Sequence, residues 1–360
     1  MSDIMIFKNT VNVPSGLDRV AKMIYGALAR SKTIVPFVIK NPDLINKTVE
    51  EKRQIRNAKY NFILGVPYSF QKYVEPGKIN IGYTMWETDR IPESFKESLS
   101  CLDLVLVPTE QNRKVFEPYC KNVQKVPIPC HLTGMPYINL DRKKTYTFYS
   151  VYNWTERKSP LESLLAYCLE FSPTDNVDFL IKIKGASPGI IIHKDIKEML
   201  ISNGILSHPK FEIIQKAWTD KELDNFHRRN HCYVSLSKGE GWNLPLMDAY
   251  LAGNQIVSTH PCGFTEYLGK VPGFYPVKSK DGKVENMEWF NHVDDSHKWM
   301  IPDIKSARKS MRTAYKEWEK NPSLDMKKIN KRNEDILKVI SPQNFVISLG
   351  EALSKLKHDK

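Results

Sequence analysis

Short apolar runs alternate along this chain with longer segments of helical periodicity. The runs are rich in β-branched or aromatic residues and are bounded by glycine, proline or polar residues, which is typical of buried parallel strands. They lie at 61–67, 80–86, 103–109, 147–153, 179–185, 211–215, 232–237 and 255–259. Helical segments lie at Leu17–Ala29, Glu93–Leu99, Pro160–Phe171 and Asp220–Arg229. Strands and helices in alternation predict an α/β protein with parallel sheets.

The pattern is interrupted between 126 and 147 by prolines and a basic cluster. A chain of 360 residues also exceeds the roughly 250–300 residues at which a single core usually splits. We therefore predict an N-terminal domain over 1–140 and a C-terminal domain over 141–335. Residues 336–360 are expected to form a C-terminal helix that packs back on the N-terminal domain. Two α/β domains of this kind place a ligand cleft between them.

Composition bounds the location of the protein. No apolar run reaches the roughly 18 residues that a membrane span needs, and the first residues lack the pattern of a signal peptide. The six cysteines are scattered without a CxxC pair, so we expect reduced thiols and no structural metal. The expected location is cytoplasmic, with peripheral contact at the inner face of a membrane, or a virus-infected cell, as further settings.

The formal charge of +12 is divided about evenly between the two halves of the chain. Such a surplus attracts anionic partners, which include nucleic acid, anionic lipid and charged glycan. Lysine-rich faces that only keep the protein soluble would give the same balance. Charge therefore does not choose among these partners, and it says nothing of the oligomeric state.

The segment Gly239–Gly253 follows an apolar strand and combines a glycine-flanked turn with a predicted helix. Pro245 fits the first helical turn and Gly253 fits the position just past the helix end. The free N–H groups at such a helix start favour a phosphate. Glu240 in the turn and Asp248, predicted in the first helical turn, are suited to accept hydrogen bonds from sugar and ribose hydroxyls. Alternatively, Asp248 only stabilises the helix dipole and Glu240 only faces water.

This segment resembles the signature of retaining nucleotide-sugar glycosyltransferases of family 4. There, two acidic residues flank a Gly-aromatic-Gly-Leu-Pro-like stretch, as Glu240 and Asp248 do here. The resemblance implies that Glu240 holds hydroxyls of the transferred sugar and that Asp248 holds the nucleotide ribose. Asp248 replaces the family's usual Glu, and Asn243 its usual Gly. The donor-binding residues between the two acids would be Gly241, Trp242, Asn243 and Leu244.

A second resemblance covers Ser150–Tyr167, in which a strand, an Arg-Lys pair and a helix follow one another. The family's Lys contacts the donor diphosphate, and Lys158 takes that place with Arg157 beside it. A fixed cation would neutralise charge that grows on the leaving nucleoside diphosphate. Where the family often has a further Arg, this chain has Tyr152, so Arg157 or helix-terminus amides would compensate. The plain alternative is a solvated basic pair ahead of a helix.

Weaker signals lie in the N-terminal half. Residues 12–20 are similar to a glycine-bearing loop that lies near acceptor and donor phosphates in the family, and residues 83–92 resemble a pattern from its bacterial and viral branch. The acceptor-side candidates are Ser15, Gly16, Trp86 and Glu87. Trp86 would face the cleft from the end of a strand; alternatively it is a core residue and Glu87 starts a helix. Residues 261–268 correspond to a Gly-x-x-Glu loop of the family.

Together these resemblances imply a GT-B fold, with two Rossmann-like doubly wound parallel-sheet domains facing a cleft. They also imply transfer of a sugar, with retention, from a UDP- or GDP-sugar co-substrate. Asp294 and Asp295 lie in a polar loop, and no Asp-x-Asp follows a strand, so no metal or other cofactor is expected. No carboxylate is placed as a nucleophile, which favours a front-face route over double displacement.

The acceptor stays open at this point. An envelope glycan or lipid-linked saccharide is the common acceptor of the family. A hydroxymethylated base of viral DNA is the alternative, because both halves are basic; the base would have to be extruded from the duplex, with Trp86, Tyr68 and Tyr73 as aromatic candidates. A third possibility is an inactive nucleotide- or carbohydrate-binding protein.

Overall fold

The computed structural model describes residues 3–10, 15–39, 48–130, 144–186, 191–269, 271–285, 287, 293–322 and 325–358. It contains two compact units. Met1–Gly134 and Asp335–Lys360 form the first, here the N unit, and Met135–Glu334 form the second, here the C unit. Most of the predicted linker region, 131–143, and residues 12–14 of the predicted loop lie outside the described residues.

The strands of the N unit form a parallel sheet. They are β1 Asp3–Asn9, β2 Ile34–Ile39, β3 Tyr60–Leu64, β4 Ile79–Tyr83, β5 Leu104–Val107 and β6 Val123–Lys125, and the helices between them are α1 Gly16–Leu28, α2 Val49–Asn57, α3 Lys96–Ser100 and α4 Glu110–Phe116. Within the described ranges the strand order is β2-β1-β3-β4-β5-β6. The chain moves outward from β1 to both sides, so the order reverses between β1 and β3. The rings of Phe7, Phe62 and Tyr83 stack in this core at 5.5 and 6.0 Å.

The C unit repeats this architecture. Its strands are β7 Tyr146–Trp154, β8 Val177–Ala186, β9 Phe211–Gln215, β10 Cys232–Ser235, β11 Gln255–Thr259 and β12 Phe274–Val277, with an antiparallel hairpin of β13 Ser279–Lys283 and β14 Lys298–Pro302. Its helices are α5 Pro160–Glu170, α6 Ile192–Ser202, α7 Asp220–Arg229, α8 Leu244–Leu251 and α9 Ile304–Lys320. Among the described residues the parallel order is β12-β11-β10-β7-β8-β9, and it reverses between β7 and β10.

Two helices complete the chain, α10 Met326–Ile340 and α11 Pro342–His358. The division between the two units falls within α10. Helix α11 packs on α1, and the ring of Phe345 lies 6.3 Å from that of Tyr83. The amide of Cys130 donates to the carbonyl of Ile340 at 2.7 Å. These contacts place the end of the chain in the N unit.

The prediction of parallel α/β layers is confirmed. The predicted strands and helices coincide with observed elements to within a few residues, although the segment 93–99 begins as a 3-10 turn, Glu93–Phe95, before α3. No helix in the described part of the chain is both long and apolar enough to cross a bilayer. The C unit buries an aromatic-rich core in which Phe148, Tyr167 and Phe179 pack edge to face, and this core holds the sheet that carries the candidate site.

Candidate active site

The candidate site lies where the strand order of the C unit reverses. Strands β7 and β10 are hydrogen-bonded neighbours, with Phe148 opposite Cys232 in the register. Both strands run in the same direction, so the loops that leave their carboxyl ends lie side by side. The first loop carries Lys158 and the second carries Glu240. Open α/β sheets bind ligands at such reversal points.

The loop after β7 is a 3-10 turn, Glu156–Lys158, that leads into α5. Ser159 adopts the left-handed conformation with φ 49°, and Pro160 then starts the helix without needing a hydrogen-bond partner for its nitrogen. The carbonyl of Arg157 accepts hydrogen bonds from the amide of Lys238 at 2.8 Å and from Oγ of Ser237 at 3.0 Å. The two loops are therefore joined through the backbone.

Glu240 is the centre of a buried charge cluster. Its side chain is 8% exposed, and those of Lys158 and Arg157 are each 19% exposed. Nζ of Lys158 donates to Oε1 of Glu240. Nη1 of Arg157 lies 3.5 Å from Oε2 of Glu240 and donates to the carbonyl of Gly239 at 2.6 Å. Arg157 and Lys158 are therefore not a solvated basic pair, because both contact a buried carboxylate.

The protonation state of Glu240 follows from these contacts. Burial opposes ionisation of the carboxyl group, but the charges of Lys158 and Arg157 and the hydrogen bond from Lys158 outweigh burial and hold the pKa of Glu240 below its ordinary value of 4.5. Glu240 is therefore ionised at neutral pH. An ionised carboxylate with a low pKa accepts hydrogen bonds well, but it is a weak general base and cannot act as an acid.

Helix α8 begins directly after the turn that holds Glu240. Asn243 is in the left-handed conformation, φ 74°, which asparagine tolerates better than other residues with a Cβ atom. Its Oδ1 accepts from the amide of Leu246 at 3.3 Å, and its Nδ2 donates to Oγ of Ser235 at 3.0 Å. Asn243 therefore serves as N-cap and anchors the helix start to β10.

One expectation for α8 was wrong. Because Asn243 keeps the cap conformation, the helix starts at Leu244, and Asp248 is its fifth residue rather than part of its first turn. Asp248 is half-buried and lies beyond the orphan N–H groups of the helix start. Pro245 does lie in the first turn, and Gly253 follows the helix end with φ 83°, as predicted.

The cap conformation makes a testable prediction. The change Asn243→Ala should lower the free energy of unfolding by roughly 2–3 kcal/mol, because alanine loses the cap and is strained at positive φ. The change Asn243→Gly should stay within about 1 kcal/mol of the original chain, because glycine adopts this conformation freely. Urea unfolding of both variants measures the difference. Equal stability of the two would contradict the proposed strain at this position.

The loop at 261–268 packs against the turn that holds Glu240 and Trp242. Gly263 has φ 52°, and a Cβ atom there would lie 2.8 Å from the carbonyl oxygen of Trp242 and 2.9 Å from that of Glu240. The amide of Phe264 donates to the carbonyl of Trp242 at 2.5 Å. Trp242 itself is 1% exposed and packs on the rings of Phe264 and Tyr267. Trp242 is therefore a packing residue of the turn, and Gly263 is required by close backbone approach.

A second ion cluster lies beside the first and was missed from the sequence. Lys238 is 5% exposed, and its ammonium group contacts Glu156 and also Glu162, the latter at 3.1 Å. Burial opposes the charge, but Glu162 and Glu156 hold the pKa of Lys238 above its usual value. Since Lys238 and these glutamates lie more than 75 positions apart in the chain, no local pattern signals the pairing.

The other predicted features of this unit are placed as follows. Tyr152, at the position where the family often has an Arg, is buried in the core. The second cation beside Glu240, in addition to Lys158, is Arg157. Asp294 accepts hydrogen bonds from Ser296 and His297, which lower its pKa to about 2. In the ranges that the structure describes, no three His, Cys, Asp or Glu side chains converge as metal ligands.

The acceptor-side candidates belong to the N unit. Ser15 is the N-cap of α1, where its Oγ accepts from the amide of Asp18 at 3.2 Å, and Gly16 is the first helical residue. Both are exposed. They follow β1, at the point where the strand order of this unit reverses. Ser15 and Gly16 therefore follow a strand at a reversal of strand order, as Lys158 and Glu240 do in the C unit.

Trp86 and Glu87 follow β4. Trp86 is 1% exposed, its ring packs edge to face on Phe95 at 5.5 Å, and its Nε1 donates to Thr88 and to the carbonyl of Arg90, both at 2.7 Å. Trp86 is therefore a core residue, which was the second interpretation of its place in the sequence. Glu87 is half-buried. Tyr68, another of the aromatic candidates, follows β3 and is 52% exposed.

The chain matches no family model and no curated protein. It does resemble solved structures. The α,α-trehalose-phosphate synthase (UDP-forming) of Burkholderia xenovorans, in complex with glucose-6-phosphate, is 14% identical with a TM-score of 0.59 over 98% of this chain and 100% of that one. Anabaena HepE, in complex with UDP and glucose, is 9% identical with a TM-score of 0.61 over 98% and 100%.

A shorter match is found with TarM of S. aureus, a point mutant of which was solved with fondaparinux, α-GlcNAc-glycerol and UDP. It is 14% identical with a TM-score of 0.57, and the alignment covers 81% of this chain and 55% of TarM. At these identities the likeness establishes the fold. Two parallel sheets with strand-order reversals, shared with the Burkholderia and Anabaena structures over 98% of this chain, confirm the predicted GT-B architecture.

Proposed function

We propose that this chain is a retaining glycosyltransferase that moves a sugar from a nucleotide-diphosphate donor to an acceptor hydroxyl. The observation that carries the proposal is the cluster of Lys158, Arg157 and Glu240 at the β7/β10 reversal, directly before α8. It joins two cations suited to a diphosphate with an ionised carboxylate suited to sugar hydroxyls. The C unit is then the donor side and the N unit the acceptor side.

In this proposal Lys158 and Arg157 stabilise the leaving nucleoside diphosphate. Negative charge grows on the β-phosphate as the bond to the sugar breaks, and preorganised cations with little solvent exposure stabilise that charge more than water does. Glu240 accepts hydrogen bonds from the sugar hydroxyls. Because the low pKa of Glu240 makes it a weak base, we propose that the leaving phosphate takes the proton from the acceptor hydroxyl, as the front-face route requires. Asp248 and the turn residues Gly241, Asn243 and Leu244 would hold the nucleotide.

The proposed donor is a UDP-sugar. The three structures named above support this choice, because each was solved with UDP or belongs to a UDP-forming enzyme. A GDP-sugar stays as the second donor to test. The nucleotide sugar is a co-substrate, and the proposed reaction requires no other cofactor.

The proposed acceptor is a saccharide, carried by an envelope glycan or a lipid. The three structures named above were solved with a carbohydrate, and Ser15, Gly16 and Glu87 would supply polar groups to the acceptor in the N unit. Of the three aromatic candidates for an extruded base, Trp86 and Tyr73 are buried and Tyr68 is exposed, which weakens the DNA alternative. We propose that the reaction takes place in the cytoplasm, with peripheral membrane contact where the acceptor is lipid-linked and anionic.

Release of nucleoside diphosphate tests the proposal. The full chain is incubated with UDP- and GDP-sugars, each with envelope extract, with hydroxymethylated DNA, or without acceptor. We expect UDP release that rises with envelope extract. A rise with modified DNA alone would replace the proposed acceptor. No release with any donor, together with retained UDP binding, would identify a binding protein and overturn the proposed activity.

A further inference from the structure

The carbonyl groups at the carboxyl end of α8 accept hydrogen bonds from the following turn and from helix α10. A helix leaves its last four carbonyl groups without partners inside the helix. Here the carbonyls of Asp248, Ala249 and Tyr250 accept from the amides of the following turn, at 2.9, 3.1 and 3.0 Å. The carbonyl of Leu251 accepts instead from Nδ2 of Asn333, at 3.1 Å. The helix end is thus closed by a residue of α10.

Arg332, the neighbour of Asn333, binds the same end. Its Nη2 donates to the carbonyl of Tyr250, its Nη1 donates to the carbonyl of Asn254 at 3.1 Å, and its guanidinium lies 4.0 Å from the centre of the Tyr250 ring. Arg332 is 8% exposed. Burial lowers its pKa to about 10, so it remains charged at pH 7.

Within the described part of the chain, the contacts of Arg332 are carbonyl groups and an aromatic ring, with no carboxylate among them. The negative end of the α8 dipole therefore supplies its counter-charge. At the opposite end, Asn243 anchors the helix to Ser235. Eight residues make a rod of about 12 Å, so a shift at one end moves the other end with it. Helix α8 is held at both ends by buried side chains.

We propose that Arg332, together with Asn333, is a positioning residue that holds α8 and thereby fixes the donor turn Gly239–Asn243 against Lys158. Its contacts at the far end of α8 set where Glu240 and the first free amides of the helix stand. Only the expected effect of Arg332 on nucleotide binding depends on the proposed function. The placement of the turn is a property of the fold and is measured independently.

Hydrogen exchange followed by mass spectrometry tests the placement. The variants are Arg332→Gln, Arg332→Lys and Asn333→Ala, with Lys328→Ala as the matched control. Lys328 lies on the same helix, its side chain is 72% exposed, and it pairs with Asp325. We expect Arg332→Gln to speed exchange in peptides that cover 239–243 as well as 250–254, while peptides from β8 stay unchanged. Faster exchange confined to 250–254 would overturn the proposal.

Calorimetric titration with UDP provides the second readout. We expect Arg332→Gln to weaken UDP binding by about tenfold. Arg332→Lys should recover only part of the loss, because an ammonium group lacks the planar fork that bridges two carbonyls. Asn333→Ala should act more weakly, and Lys328→Ala should match the original chain. Unchanged UDP affinity in a folded Arg332→Gln would also overturn the proposal. If the original chain binds no nucleoside diphosphate, the proposed function fails, and exchange still decides the positioning role.

Discussion

Replacing Glu240 with glutamine is expected to lower sugar-transfer turnover by two to three orders of magnitude, on the order of 3–4 kcal/mol of transition-state stabilisation. Glutamine keeps the shape of the side chain, but it lacks the charge that balances Lys158 and Arg157. It also accepts hydrogen bonds from sugar hydroxyls less strongly than a carboxylate does. Steady-state kinetics of UDP release, with the proposed acceptor present, measures the loss.

The fold of this variant should persist. The two cations keep some contact with water, at 19% exposure each, so we expect the melting temperature to fall by no more than about 5 °C. The matched control is Glu156→Gln, which removes a charge from the neighbouring cluster around Lys238. That change should lower stability without a comparable loss of turnover. Full activity in Glu240→Gln would remove Glu240 from the site.

The change Lys158→Ala is expected to reduce kcat/KM for the donor by about 10²–10³-fold. Alanine removes the ammonium group that contacts Glu240, and with it the main cation proposed to meet the diphosphate. Arg157 also contacts Glu240 and should keep the carboxylate ionised. The melting temperature should therefore change much less than the donor kinetics. Initial rates at varied UDP-sugar concentration, compared with thermal unfolding, separate the two effects.

Two further variants sharpen this test. Lys158→Arg keeps the charge and should retain a measurable part of the activity. If Lys158 acted only through its shape, Lys158→Arg and Lys158→Ala would both lose the activity. Lys210→Ala removes a lysine whose side chain is 75% exposed and should leave donor kinetics unchanged. If Lys158→Ala loses stability and activity in equal measure, Lys158 is a structural residue of the ion cluster, and the diphosphate must be held by other groups.

The elements of this fold were largely predictable from the sequence. Strands such as Phe211–Gln215 and Gln255–Thr259, and the helix Asp220–Arg229, were bounded correctly, because short apolar runs and capping residues encode local structure within a few positions. The start of α8 was placed too late, with Asp248 in the first turn, since the left-handed cap at Asn243 is a property of the turn as folded.

The candidate site was predictable only as separate pieces. The sequence marks Glu240 by its glycine-flanked turn and Lys158 by its place before a helix, but these residues lie 82 positions apart. Their contact depends on β10 pairing beside β7 rather than beside β9, which follows from packing of the whole sheet. Burial of Trp86 likewise depends on Phe95 and on the hydrogen bonds of the surrounding loop, which no spacing reveals.

The sequence by itself determined the alternation of strands and helices, the turn that begins α8, and the basic pair at the start of α5, because each arises from interactions between near neighbours in the chain. Only the tertiary structure decided which of these pieces meet. It brought Lys158 and Arg157 into contact with Glu240, and Gly263 against the backbone of the turn. It also brought Arg332 to the carboxyl end of α8. The physical reason is that strand order and helix docking are set by burial of the core as a whole, and partners distant in the chain leave no local pattern.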